Sequence, residues 1–411
     1  MNFFKKYFKG DPNIWAIIVG LSVFSLLAVY SSTGTLAYRW TGGNTAFYFI
    51  RHSGFLAVGL TVAFVLHMFP YKYYARLSHW MIALAILLLL ATMFFGDDVN
   101  NARRAFLGFQ TSDLAKLALI MLLAQRLASR QGEIHDFRKT ILPMFAIICI
   151  VCLLILPSNF STAAMLFCIC MILLFVGRAS IRQLLKLCAY TLVGGTLLVG
   201  GLYGLQKAGV NNVVTQRSET WVKRVDRFFV NNPEDNSLTE NFQALQAKIA
   251  VGTGGFIRIA PGNSIQRNFL PHPYSDFIYA IIIEEYGILG GIIVLFLYLN
   301  LLYRSILIMR KCDKTFPAIL VMGLSLSVVF QAFVNMAVAV GLMPVTGQPL
   351  PLISMGGTSI LFTGAALGII LSVSREVQKE EGAKIQKTTE KKLVEVEPEA
   401  LEESISPISS N

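Results

Sequence analysis

The sequence is short of charge. Asp, Glu, Lys and Arg make up 14% of its 411 residues, against 55% hydrophobic residues, where an average soluble domain is roughly 25% charged. Too few charges remain to clothe a water-facing surface, which excludes an ordinary soluble domain. Histidine is scarce as well, with five residues. No histidine or carboxylate stands near the pairs Cys149/Cys152 and Cys168/Cys170 to complete a zinc-ligand pattern. Those four, with Cys188 and Cys312, lie in or beside apolar runs or in an inward loop, so no disulfide in an oxidising compartment is expected and all six read as packing residues.

What fills the sequence instead is long apolar runs. About 20 apolar residues cross about 30 Å of hydrocarbon, and ten such runs recur, at approximately 13–32, 49–69, 77–96, 112–128, 140–157, 161–177, 184–206, 276–303, 316–341 and 357–374. The expected fold is an all-α polytopic membrane protein of about ten transmembrane helices, with one large loop, 207–275, between the seventh and eighth. The fifth and sixth runs meet at Leu156-Pro-Ser-Asn-Phe-Ser-Thr162, which predicts a tight helical hairpin.

Lys and Arg set the orientation. With Lys5, Lys6 and Lys9 inside, the same side receives Lys72 and Arg76, then Arg126, Arg130, Arg138 and Lys139, then Arg178, Arg182 and Lys186, and later Arg304, Arg310, Lys311 and Lys314. Short inward loops are thus basic throughout, as the positive-inside rule requires. Both termini are predicted inside, residues 1–12 as a short cytoplasmic lead, 13–374 as the membrane domain and 375–411 as a disordered tail of alternating Lys and Glu. The first run lacks a cleavage site and reads as a retained signal anchor. The net charge of +11 reads as topology and lipid contact, and nucleic acid is excluded as a partner.

Four segments then face outward, to the periplasm or exterior of a bacterial cell membrane: 33–48, 97–111, 207–275 and 343–356. In the third, residues 217–229 mix Arg217, Lys223, Arg224 and Arg227 with Trp221, Phe228 and Phe229, an amphipathic pattern suited to lying on a lipid surface. That segment runs back into the membrane at Asn268-Phe-Leu-Pro-His-Pro-Tyr-Ser-Asp-Phe-Ile-Tyr-Ala280. Asp276 is therefore a carboxylate at the membrane boundary, and partial desolvation there makes a carboxylate a stronger base. His272, four residues before it, reads mainly as a surface residue. Glu284 and Glu285 come eight and nine residues later, about 12–13 Å along a helix, too deep to share its role.

Polar groups at membrane depth are costly and usually functional. The run Asn100 to Lys116 carries Arg103, Arg104, Gln110, Ser112, Asp113 and Lys116 into the fourth span. Asp113 and Lys116 are three apart and share a helix face. One reading makes them a structural ion pair, with the arginines on lipid headgroups. The other makes the cations part of a diphosphate site. The last outward segment, Gly341-Leu-Met-Pro-Val-Thr-Gly-Gln-Pro-Leu-Pro-Leu-Ile-Ser-Met-Gly-Gly-Thr-Ser359, has too much Gly and Pro for a helix. It predicts an irregular re-entrant stretch around a polar cavity lined by Thr346, Ser354 and Ser359, because such backbone survives in a membrane only against protein or water.

Three of these segments, Phe109-Gln-Thr-Ser-Asp-Leu-Ala-Lys116, Asn268 to Ile278 and Pro344 to Ser359, resemble the SEDS proteins (shape, elongation, division and sporulation). The resemblance spans about residues 10–375, and the Pro-His-Pro-Tyr-Ser before Asp276 is more similar to the cell-division branch than to the elongation branch. It implies a peptidoglycan glycosyltransferase that polymerises lipid II, the undecaprenyl-diphosphate-linked disaccharide peptide, with Asp276 as catalytic carboxylate. It implies partners too: a class B penicillin-binding transpeptidase and other division membrane proteins. The sequence departs from the family where Gln-Pro-Asp-x-Gly-Thr is common. Here Asn159 stands for the Asp, followed by Thr162, and an amide cannot act as a base.

The expected reaction uses Asp276 to take the proton of an acceptor sugar 4-hydroxyl, which displaces a polyprenyl diphosphate with inversion. Diphosphate is a good leaving group, so no second carboxylate is required. Arg103, Arg104, Lys116 or a bound divalent cation, magnesium or manganese, would offset the growing charge. No metal-ligand set is evident in the sequence. The alternatives are a lipid II flippase, which the polar pair and broken segment would also suit, a polymerase of the elongation branch of the same family, and a non-catalytic scaffold, which leaves Asp276 unexplained.

Overall fold

The computed structural model describes residues 8–40, 42–99, 102–106, 108–207, 238–258, 261–270 and 273–403. In chain order it contains α1 (Pro12–Ser32), α2 (Gly34–Trp40), α3 (Thr45–Met68), α4 (Lys72–Phe95), strands β1 (Asp97–Val99), β2 (Ala102–Phe106) and β3 (Phe109–Gln110), then α5 (Thr111–Ser129), α6 (Leu142–Ile155), α7 (Phe160–Val176), α8 (Ile181–Lys207), α9 (Leu238–Thr253), α10 (Ile278–Lys311), α11 (Thr315–Ala339) and α12 (Thr358–Glu403). Each of the ten expected spans coincides with a helix. By length and apolar composition alone, eight helices among the described residues can cross a membrane, counting α6 together with the π-helical turn Phe137–Ile141 that leads into it. The other two are α7, apolar but 17 residues long, and α5, which carries Asp113, Lys116 and Arg126.

The all-helical membrane fold carries one small addition. Asp97–Val99, Ala102–Phe106 and Phe109–Gln110 form a small antiparallel sheet in the order β1-β2-β3, with Asp98 opposite Arg103 and Phe106 opposite Phe109. A short chain segment between two helix ends at a membrane surface leaves backbone donors and acceptors unpaired, and a ribbon pairs them. The tail also differs from the disordered reading: α12 continues without a break to Glu403, its Lys and Glu residues spaced for i,i+4 support. The large loop contains α9, which packs against α10. The amphipathic stretch 217–229 lies outside the described residues.

The bundle is built around α5. Its helix is buried on nearly every side, from Thr111 to Leu127, between α4 and α11. α3 and α12 form the most extensive pair, because Gly59 and Ala63 face Gly364 and Gly368. A Cβ on Gly368 would sit 2.6 Å from the carbonyl oxygen of Ala63, one on Gly59 2.8 Å from Ile360, and one on Gly364 would meet the Gly59 carbonyl. Small residues four apart let two membrane helices approach backbone to backbone. At the end of the bundle away from Asp276, the Asp11 carboxylate takes a 2.5 Å ion pair from Arg304 and its backbone N–H bonds Ser374 Oγ at 2.9 Å, tying α1, α10 and α12 together.

Candidate active site

The segment Pro344–Gly357 is the irregular re-entrant stretch predicted from its Gly and Pro content. It has no helix between Ala339 and Thr358, and it folds back into the bundle with Gln348, Leu350, Leu352, Ile353 and Ser354 buried. Leu352 adopts a left-handed φ of 66°, a strained conformation for a branched side chain that persists only where its surroundings hold it. They do so from several sides: Ser25 Oγ donates to Ile353 O at 3.0 Å, the Tyr298 hydroxyl donates to Pro351 O, and Ser354 Oγ accepts from Leu350 N at 2.7 Å.

Asp276 sits just before α10, half-buried, and this segment fixes the backbone around it. Met355 N donates to Tyr274 O at 2.9 Å, Ser354 Oγ donates to Ser275 O at 2.6 Å, and Asn335 Nδ2 donates to Asp276 O at 2.9 Å. Ser275 Oγ in turn donates to Asp276 Oδ1 at 2.9 Å. Tyr274 is held as a protonated phenol: burial first, and then the Asp276 charge, push its pKa up.

Asn335, on the last turns of α11, also donates to Gln348 O at 2.7 Å. Gln348 Nε2 reaches Thr162 Oγ1 at 2.5 Å. Thr162 opens α7, whose N-cap is Asn159, its side chain accepting from Thr162 N at 3.2 Å. Asn159 therefore has a structural task that needs an acceptor and no charge.

One turn before Asn335, Gln331 links the same segment to α5. Gln331 Nε2 donates to Pro349 O at 2.9 Å while its Oε1 accepts from Lys116 Nζ at 2.8 Å. Lys116 Nζ also pairs with Asp113 Oδ1 at 2.8 Å, with both side chains about 5–7% exposed. The geometry thus matches the structural reading of this pair: the ammonium is spent on two partners inside the protein. Asp113, Lys116, Gln331, Ser359 and Thr363 share the wall of a cavity of about 30 Å³ with Leu117, Ile120, Leu324, Val328 and Phe362. That is room for a water or two, and Asp113 Oδ2, with no hydrogen-bond partner among the described residues, is an acceptor for one.

The remaining candidates are grouped less tightly. Gln110 N donates to Thr358 Oγ1 at 3.3 Å and its amide to Ser112 Oγ at 3.3 Å, so the ribbon is stitched to the start of α12. Thr346 is half-buried on the re-entrant segment. Arg103 and Arg104 lie on β2, with side chains outside the described residues, as is His272. The sequence reading missed Gln331 and Asn335, two of the side chains that join the re-entrant segment to its neighbours. Two amides four residues apart in an otherwise apolar span were the available signal.

A family model described as cell cycle protein, of the FtsW, RodA and SpoVE type, matches residues 12–379. The chain belongs to this family. It is 32% identical over 379 residues to a probable peptidoglycan glycosyltransferase FtsW of Nitrosococcus halophilus (strain Nc4), covering 90% of this chain and 93% of that one. It is 30% identical over 373 residues to the protein of that name in Aliivibrio salmonicida (strain LFI1238), covering 88% of each. A solved structure described as the structural coordination of polymerization and crosslinking by a peptidoglycan synthase complex contains a chain 25% identical, with a TM-score of 0.67 over 90% of this chain and 98% of that one. This family member is a multi-pass membrane protein in which the described residues of 109–116, 268–278 and 344–359 meet at one end of the bundle.

Proposed function

We propose that this chain, a peptidoglycan glycosyltransferase, joins two lipid II molecules at the outer membrane surface during cell division, with Asp276 as general base. The observation that carries the reading is the fixing of Asp276. Hydrogen bonds from Asn335, Ser354 and Met355 hold residues 274–276, while Asp276 is not fully buried. Such preorganisation is what a base needs to meet a hydroxyl held at the lipid surface.

In the reaction, Asp276 takes the proton of the acceptor sugar 4-hydroxyl as that oxygen bonds to the donor's anomeric carbon. The bond from that carbon to diphosphate oxygen breaks, and undecaprenyl diphosphate departs with the electron pair. Attack from the opposite face inverts the centre. Among the described residues no three His, Cys, Asp or Glu side chains converge to hold a metal ion; a magnesium or manganese ion would instead be held by one carboxylate together with the substrate's diphosphate oxygens. Charge on the departing diphosphate falls to Arg103 and Arg104 of the ribbon. Lys116 acts indirectly, through Gln331, on the re-entrant segment.

The working unit is the membrane domain, residues 13–374, with the termini inside the cell and Asp276 outside. Its partners are other division membrane proteins and a class B penicillin-binding transpeptidase, which supplies the cross-linking. Support for the second comes from the similar solved complex, whose description couples polymerization to crosslinking. The test of the base is Asp276→Asn, purified in lipid and supplied with lipid II, with and without that transpeptidase. Loss of glycan polymer with normal insertion is the expected result. Polymer at the wild-type rate would refute the role of Asp276, and equal wild-type rates with and without the transpeptidase would show that the partner adds cross-linking without raising polymerisation.

A further inference from the structure

Two carboxylates are left over from this account. Glu284 and Glu285 lie on α10, 2% and 1% exposed, at a depth where an unpaired charge is expensive. Neither faces the cavity beside Lys116. Both instead receive hydrogen bonds from the end of the large outer loop. Glu284 Oε1 accepts from the backbone N–H of Ile265 at 2.9 Å and of Gln266 at 3.3 Å, and its other oxygen accepts from Ser264 Oγ. Glu285 Oε1 accepts from Ser264 N at 3.3 Å and from the Ser31 hydroxyl of α1. Arg267 closes the arrangement by donating to Ser31 O at 2.8 Å.

The anchoring continues along the helix. Gly287 has a φ of 72° and breaks α10, which frees the N–H groups that follow. Ile288 N bonds Gly255 O at 3.0 Å and Leu289 N bonds Phe256 O at 3.2 Å. A Cβ at position 287 would lie 2.7 Å from Phe256 O, so the loop docks where only glycine leaves room. The run 284–289 therefore grips the outer loop at 255–256 and again at 264–266. Ten residues beyond Gln266 comes Asp276, whose backbone is held by Asn335 and that of Ser275 by Ser354. Residues 264–266 and 274–276 are thus the two pinned ends of one strap, and the second end bears the Asp276 carboxylate.

We propose that Glu284, supported by Glu285, is a positioning residue of the transferase: its carboxylate latches the turn 264–266 and so sets the register of the strap that ends in Asp276. This rests on the role of Asp276 given above. The latch works by accepting hydrogen bonds. A glutamine can accept from both backbone N–H groups and donate to Ser264, whereas alanine leaves two buried N–H groups without partners. Slack in the strap would displace the base without altering lipid II contacts made elsewhere, and small misplacements of a reacting group are costly.

The test uses full-length Glu284→Gln and Glu284→Ala in lipid nanodiscs, with two readouts: polymerisation of lipid II, and amide hydrogen exchange of the peptide spanning 262–270. Glu284→Ala is expected to lower kcat by about tenfold or more with KM within about threefold, and to speed exchange at Ile265 and Gln266 by about tenfold or more. Glu284→Gln should restore most of the rate and the protection. Equal failure of both variants would mean that the charge, and not the latch, matters, and unchanged exchange in Glu284→Ala would overturn the latch itself. If Glu284→Ala does not insert, Ser264→Ala removes one bond of the latch and should raise exchange and lower kcat by about threefold, about 0.6 kcal/mol; no change in either would overturn the proposal. The exchange readout does not depend on chemistry at Asp276. Normal polymerisation by Asp276→Asn alongside the expected exchange pattern would thus sink the base and support the latch.

Discussion

Removing the Lys116 ammonium tests how the interior of the bundle is held. Lys116→Met leaves Asp113, about 5% exposed, with a carboxylate whose Oδ1 has lost its cation and whose Oδ2 already has no partner among the described residues. It also takes the donor from Gln331 Oε1, which then faces no N–H although its Nε2 still holds Pro349 O. Stranding one partner of a buried pair costs about 3–5 kcal/mol. Asp113→Asn strands less, because Lys116 keeps its 2.8 Å bond to Gln331 and the amide still presents an acceptor oxygen. A cost of about 1–3 kcal/mol is expected. The variant Asp113→Asn/Lys116→Met contains neither charge and should lose no more than about 1–2 kcal/mol, mostly at Gln331. The coupling between the two sites is therefore about 2 kcal/mol or more. Unfolding free energies from SDS titration in mixed micelles measure each corner of the cycle. Losses in the double variant that equal the sum of the singles within about 0.5 kcal/mol would refute the reasoning, since independent sites add.

Other substitutions probe the packing and the hub. Gly364→Leu should prevent α3 and α12 from closing and yield protein that fails to extract as a monodisperse species, while Gly54→Ala on α3, where a Cβ meets nothing within 4 Å, should be neutral or stabilising by about 0.5–1 kcal/mol in the same unfolding assay. Asn335→Ala removes the bonds to Asp276 O and Gln348 O, and should lower kcat for lipid II by about tenfold with little change in KM; a variant with the wild-type rate would show that Asn335 does not position the base. Tyr298→Phe leaves Pro351 O without its buried donor and should cost about 1–3 kcal/mol of stability, read from the unfolding midpoint.

By itself the sequence determined the membrane class and the number and place of the long helices, because hydrocarbon thickness sets a length that shows directly in hydropathy. Local rules also made the re-entrant segment legible, since Pro344, Pro349, Pro351, Gly356 and Gly357 rule out a helix whatever lies around them. The fine partition of polar roles was not legible. Nothing near Lys116 in sequence says that its ammonium will be taken up by Gln331, 215 residues away. Nothing near Glu284 announces that it faces the backbone of Ile265 and not the cavity. A side chain's charge is a local property, but its partner is chosen by which helices touch, and that is fixed by contacts such as Gly59 against Gly364. The ribbon at 97–110 escaped for a similar reason: its strands are two to five residues long, too short for a period to emerge, and they exist because helix ends on either side bring them together. The tertiary structure alone decided that Asn159 caps a helix, that Lys116 is a brace, and that the carboxylate at 276 stands at the end of a strap gripped from two sides.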